Sequence, residues 1–134
     1  MRLLVNIDVP DLARAEAFYV SAFGLRVQRR FGRAGVELVG GEAPIYLLAK
    51  PAGSEAVPGT SRVRDYERHW TPVHLDFAVD DLPAARDRAV AAGARLERDI
   101  EHSAWGSIAL LADPFGNGFC LLQFSERGYD AIAT

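Results

Sequence analysis

The sequence predicts an α+β protein built from two tandem βαβββ modules, and three observations lead there. The run VHLDFAVDDL at residues 73–82 echoes the opening LLVNIDVPDL at residues 3–12, so that Leu3 answers Val73 and Leu12 answers Leu82. In each copy a strand-like run closes on an Asp-Leu pair, a helical pattern follows, and a glycine, Gly24 or Gly93, ends it. Three short strand-like runs come after each glycine. Self-similarity at a fixed period means two halves built alike.

The chain of 134 residues is expected to form one domain: module one at 1–50, a connecting segment at 51–71, module two at 72–124 and a tail at 125–134. Hydrophobic residues at 49% and charged residues at 25% argue against disorder. A net charge of −3 with interspersed signs offers no basic stripe to neutralise phosphates, which sets nucleic acid aside as a partner. No apolar run reaches the roughly 20 residues of a spanning helix, and the N-terminus has no cleavable apolar core, so no membrane partner is expected. Cys120, the single cysteine, has no intrachain partner for a disulfide and fits a reducing, cytoplasmic compartment.

Residues 2–9 alternate, with Leu3, Val5, Ile7 and Val9 on one face and Leu4, Asn6 and Asp8 on the other. Pro10 and Asp11 stop this strand, and Asp11 is suited to cap a helix whose apolar stripe is Leu12, Ala15, Phe18, Tyr19, Ala22 and Phe23. Strands are expected at 25–31, 36–39 and 45–49, separated by glycine-containing turns. Pro51, Gly53, Pro58 and Gly59 make the first half of the connecting segment read as a mobile linker. Tyr66, His69 and Trp70 make its second half read as packed, and a long irregular segment of this kind is a candidate lid.

Module two repeats the order. Residues 73–79 place Val73, Leu75, Phe77 and Val79 on one face and His74 and Asp76 on the other. Asp80 or Asp81 caps a helix that tolerates Pro83 in its first turn and turns Leu82, Ala85, Ala89 and Ala92 inward. Strands follow at 95–98, 105–111 and 118–124, the last two joined by the turn Asp113-Pro114-Phe115-Gly116-Asn117.

The doubled βαβββ order, the V-x-D-L pattern at residues 9–12 and 79–82, and the closing run ALLADPFGNGFCLLQF at 109–124 resemble the vicinal oxygen chelate superfamily of glyoxalases, extradiol dioxygenases and bleomycin-type resistance proteins. The resemblance implies a curved mixed sheet around a cleft, helices on its outer face, and a homodimer. It also implies a divalent metal held by a His in each module's first strand and a Glu or similar ligand in each last strand. Carried onto this chain, those positions are Leu4, His74, Tyr46 and Cys120. Leucine cannot ligate and a neutral tyrosine ligates weakly, so this set falls short of the three protein ligands usual in a catalytic zinc site. Asn6, Asp8 and Asp76 share strand parity with Leu4 and His74, which leaves one alternative: a shifted divalent-metal site at His74, Asp76 and Asp8.

Each candidate also has a bland reading. His74 lines the cleft or is a satisfied polar strand residue. Asp8 and Asp76 are acid–base groups or hydrogen-bond partners on the cleft floor. Cys120, in an apolar run without a neighbouring base, reads as a small hydrophobe rather than a reactive thiol. Tyr46 and Trp105 are candidate walls for a flat ligand, with Trp70, Phe31, Tyr66 and Phe115 behind them, although a tryptophan at a strand start commonly serves core or dimer contacts. Arg26, Arg29, Arg30 and Arg33 read as a solvated face. The expected function is metal-free sequestration of a small, partly aromatic organic ligand, such as an antibiotic, by Asn6, Asp8, Tyr46, His74, Asp76, Trp105 and Cys120. The alternative is a metal-dependent lyase, isomerase or dioxygenase. A vestigial cleft is disfavoured because an unused cleft would fill with apolar side chains.

Overall fold

The computed structural model describes residues 1–134. The chain divides into two compact units, Met1–Glu67 and Arg68–Thr134. In the first, strand β1 (Val5–Val9) leads into helix α1 (Leu12–Phe23), followed by β2 (Arg26–Arg30), β3 (Gly35–Val39) and β4 (Ile45–Ala49). In the second, β5 (Leu75–Ala78) leads into α2 (Leu82–Ala92), followed by β6 (Arg95–Ser103), β7 (Gly106–Ala112) and β8 (Gly118–Phe124), and a 3-10 turn at Gly128–Ala131. Each unit holds a four-stranded mixed sheet, ordered β1-β4-β3-β2 and β5-β8-β7-β6. The first strand of each lies parallel to the last, and the other neighbours are antiparallel. The expected α+β class and doubled βαβββ order hold.

Local chemistry fixes the helix ends as the sequence suggests. Asp11 Oδ1 accepts from the Arg14 N–H at 3.0 Å, and Asp81, rather than Asp80, accepts from the Ala84 N–H at 2.9 Å. Gly24 and Gly93 close the helices in the left-handed region at φ 65 and 118. Ala15, Phe18, Tyr19 and Ala22 of α1 are buried, as are Leu82, Ala85 and Ala89 of α2, each helix packing on strands of its own unit. Burying a side chain the size of Phe18 or Leu121 stabilises by about 1.5–3 kcal/mol.

Several boundaries differ from expectation. β6 continues to Ser103 rather than ending at residue 98, because register shifts between Leu96 and Arg98 and between Arg98 and Glu101 break its alternation. β1 and β5 start at Val5 and Leu75, so Leu4 and His74 both fall just ahead of their strands. The first half of the connecting segment is a hydrogen-bonded loop rather than a free linker. The Gly53 N–H donates to the Arg64 carbonyl, the Arg64 N–H to Ser54, and the Ala56 N–H to Arg62. Its side chains pin it down too, with Arg64 Nε 2.7 Å from Asp8 Oδ2 and the Tyr66 hydroxyl donating to the Lys50 carbonyl at 2.7 Å.

Candidate functional site

The second unit carries an open recess of about 220 Å³. Its apolar lining is Leu110 over the buried Leu111 and Phe119, the β7–β8 register pairing Leu110 with Cys120 and Leu111 with Phe119. Arg68, Trp70, His74 and Cys120 complete the lining with Thr71 and Gly118. The parallel β5–β8 register sets Asp76 opposite Cys120, so a carboxylate, an imidazole and a thiol converge, with donor atoms of His74, Asp76 and Cys120 all within 4.8 Å of one another. Asp76 Oδ1 accepts from His74 Nδ1–H at 3.0 Å, which orients the ring.

Burial, followed by the negative charge and hydrogen bonding of Asp76, pushes the Cys120 thiol up from 9.0 to about 11, against an opposing pull from Arg68. A thiol of this kind stays protonated at neutral pH, so Cys120 is a hydrogen-bond donor and an unreactive nucleophile. Alkylation of the folded protein by iodoacetamide is expected to rise with a midpoint near pH 11, and in Asp76→Asn the midpoint moves down only in part, because burial, the larger cause, remains. A midpoint near 9 in the parent protein would contradict this placement.

In the first unit the sheet register aligns Arg29 with Glu37, Glu37 with Tyr46, and Tyr46 with Asn6 across β2, β3, β4 and β1. Glu37 is only 1% exposed. The Tyr46 hydroxyl donates to its Oε1 at 2.9 Å, which raises the Tyr46 pKa, and Phe31 stacks on the Tyr46 ring at 6.1 Å. Arg29 Nε lies 2.9 Å from Glu37 Oε2, yet that oxygen has no hydrogen bond, so the contact is an ion pair whose N–H points off line.

Of the candidates read from the sequence, His74, Asp76 and Cys120 come together in the second unit. Asn6, Asp8 and Tyr46 lie in the first, where Asp8 pairs with Arg64 and Tyr46 with Glu37. Trp105 does not line the recess. It sits at the start of β7 with Phe124 and Tyr129, ring centroids 6.2 and 5.4 Å away, while Trp70 is the tryptophan at the recess. Sequence reasoning passed over Glu37 and Arg68. A charged residue inside the apolar run GVELV was the available signal for Glu37, whereas Arg68 lies in an irregular stretch without periodicity.

The four inherited positions do not reproduce the family's ligand set. Leu4 offers no ligand atom and Tyr46 donates to Glu37, which leaves His74 and Cys120 of the four. In the second unit His74, Asp76 and Cys120 bring three ligand atoms within 4.8 Å of one another, with Asp76 already accepting from His74.

A family model described as a glyoxalase-like domain matches residues 4–122. The anthracycline biosynthesis protein DnrV of Streptomyces peucetius is 30% identical over 131 residues, covering 96% of this chain and 43% of DnrV, so the chain spans less than half the length of that relative. A glyoxalase/bleomycin resistance protein/dioxygenase family enzyme from Burkholderia phytofirmans PsJN superposes with a TM-score of 0.70 at 25% identity, covering 91% of this chain and 97% of that one. TioX from Micromonospora sp. ML1 shares the fold, with a TM-score of 0.66 at 17% identity over 93% and 99% of the two chains. With the doubled βαβββ order and the match along nearly its whole length, the chain belongs to the glyoxalase-like domain family of the vicinal oxygen chelate superfamily.

Proposed function

We propose that the chain binds a small, partly aromatic organic molecule, such as an antibiotic or its precursor, and holds it without a metal and without turnover. The observation that carries this reading is the recess of the second unit, where Leu110, over the buried Leu111 and Phe119, stands beside a few placed polar groups. That combination suits a ligand with a flat apolar body and a polar edge. The 30% identity to a protein of anthracycline biosynthesis supports the ligand class, and the leucine at the first inherited ligand position supports metal-free binding. Assembly as a homodimer in a reducing, cytoplasmic setting belongs to the same reading.

The test is titration of chelator-treated protein with an anthracycline, followed by tryptophan fluorescence, with mass spectrometry of the recovered ligand. A stoichiometric complex with unchanged ligand is expected. The competing metalloenzyme reading draws on the convergence of His74, Asp76 and Cys120. About one tightly held zinc, nickel, manganese or iron ion per chain, lost in His74→Ala together with conversion of the ligand, would overturn the proposal in its favour.

A further inference from the structure

Arg68 brings a permanent positive charge to the recess wall. Its Nε and Nη2 donate to Glu97 Oε1 and Oε2 at 2.8 and 3.1 Å, and its Nη1 donates to the His69 carbonyl at 2.7 Å. Three of its five N–H groups are thereby used and two remain for a ligand. Arg95 also donates to Glu97 Oε1, at 3.0 Å, so two guanidinium groups share one carboxylate and this edge of the recess keeps an excess of positive charge.

The residue beneath Arg68 explains how it fits. A Cβ on Gly118 would lie 2.5 Å from Arg68 Nη2, 2.7 Å from its Cζ and 2.9 Å from its Nη1. The guanidinium therefore lies broadside on the β8 backbone, in space that any side chain at residue 118 would fill. The opposite edge has the other polarity. Asp76 is bonded to His74 Nδ1, and the outer Nε2 of that ring has no partner. Cys120 is within reach of the charge of both Arg68 and Asp76. Beside them Trp70 is 81% exposed, a face on which an aromatic ring can stack.

We propose that the recess selects planar aromatic ketones that carry a hydroxyl across the ring system, with carbonyl oxygens accepting from Arg68 and the hydroxyl donating to His74 or Asp76, and that Gly118 is the residue that admits Arg68. This deepens the binding reading above and rests on it. A hydrocarbon of the same shape makes only the apolar contacts, and a quinone without the hydroxyl engages one edge.

The probes are 2-hydroxyanthraquinone, anthraquinone and anthracene, titrated against tryptophan fluorescence. The parent protein is expected to bind 2-hydroxyanthraquinone at least about tenfold more tightly than anthracene, the scale of one or two hydrogen bonds to charged groups. Arg68→Met and Gly118→Ala should each lose most of that preference, with an unchanged far-UV circular dichroism spectrum and cooperative melting showing that the variants are folded. Because both act on one guanidinium, the double variant should be no weaker than Arg68→Met alone. Arg68→Lys, which keeps the charge but not the planar fork, should recover only part of the preference. Equal affinity for all three probes in the parent protein, or a full preference retained in Arg68→Met, would overturn this inference and leave the binding function standing. No binding of any probe would overturn both.

Discussion

Leu111→Ala is expected to cost about 2–5 kcal/mol of folding stability, read as a lowered midpoint in urea at unchanged slope. Leu111 is fully buried on β7, where it pairs with Leu96 on β6 and Phe119 on β8. Truncation removes its transfer free energy and leaves a cavity that the strands on either side cannot close. Leu96, directly opposite but 37% exposed, is the internal control. Its replacement by alanine should cost less than about 1 kcal/mol, because water already reaches it. Since Leu111 packs beneath the recess, the same truncation links the stability of the second unit to the support of the recess lining. Equal effects at the two leucines would show that β7 is not the packed centre of the unit.

Gly106→Ala is expected to be comparably severe, at about 3 kcal/mol or more. The Cβ would lie 2.2 Å from the Gln123 carbonyl oxygen and 3.0 Å from the Phe124 Cα, both backbone atoms of the neighbouring strand that cannot swing aside. Its φ of 150 adds backbone strain for any other residue. Gly24 makes the comparison clean. It also has positive φ, at 65, but a Cβ there meets nothing within 4 Å, so Gly24→Ala should cost only about 1 kcal/mol. Thermal melting of the two variants separates steric overlap from conformational strain. If both melt alike, the β7–β8 contact at Gly106 is looser than drawn here.

Most of the fold was legible because its punctuation is local. Asp11 and Asp81 announce helices by capping chemistry, Gly24 and Gly93 end them, and β4 and β8 are continuous apolar runs bounded by turns. β6 was legible only in part, because RLERDIEHS is exposed along almost its whole length and carries no alternating burial to betray a strand. The site divided the same way. Strand parity brought out Asp76, and the closing motif brought out Cys120, since regular pairing carries both to one row. Trp70 and Arg68 reach the recess from a segment without regular structure, where sequence spacing says nothing about direction. Glu37 was hidden because a strand pattern reads a lone charge as outward-facing, whereas here Tyr46 and Arg29 compensate a carboxylate that is buried.

The parallel pairing of β1 with β4 and of β5 with β8 also orders events in time. Val5 must wait for Ile45, and Leu75 for Phe119, before either leading strand has a neighbour. The antiparallel strands between them close short loops at small entropic cost, whereas each leading strand pairs only across the full length of its unit. On the ribosome the leading strand of each half is therefore an unpaired edge for the whole time that the rest of its unit is being made.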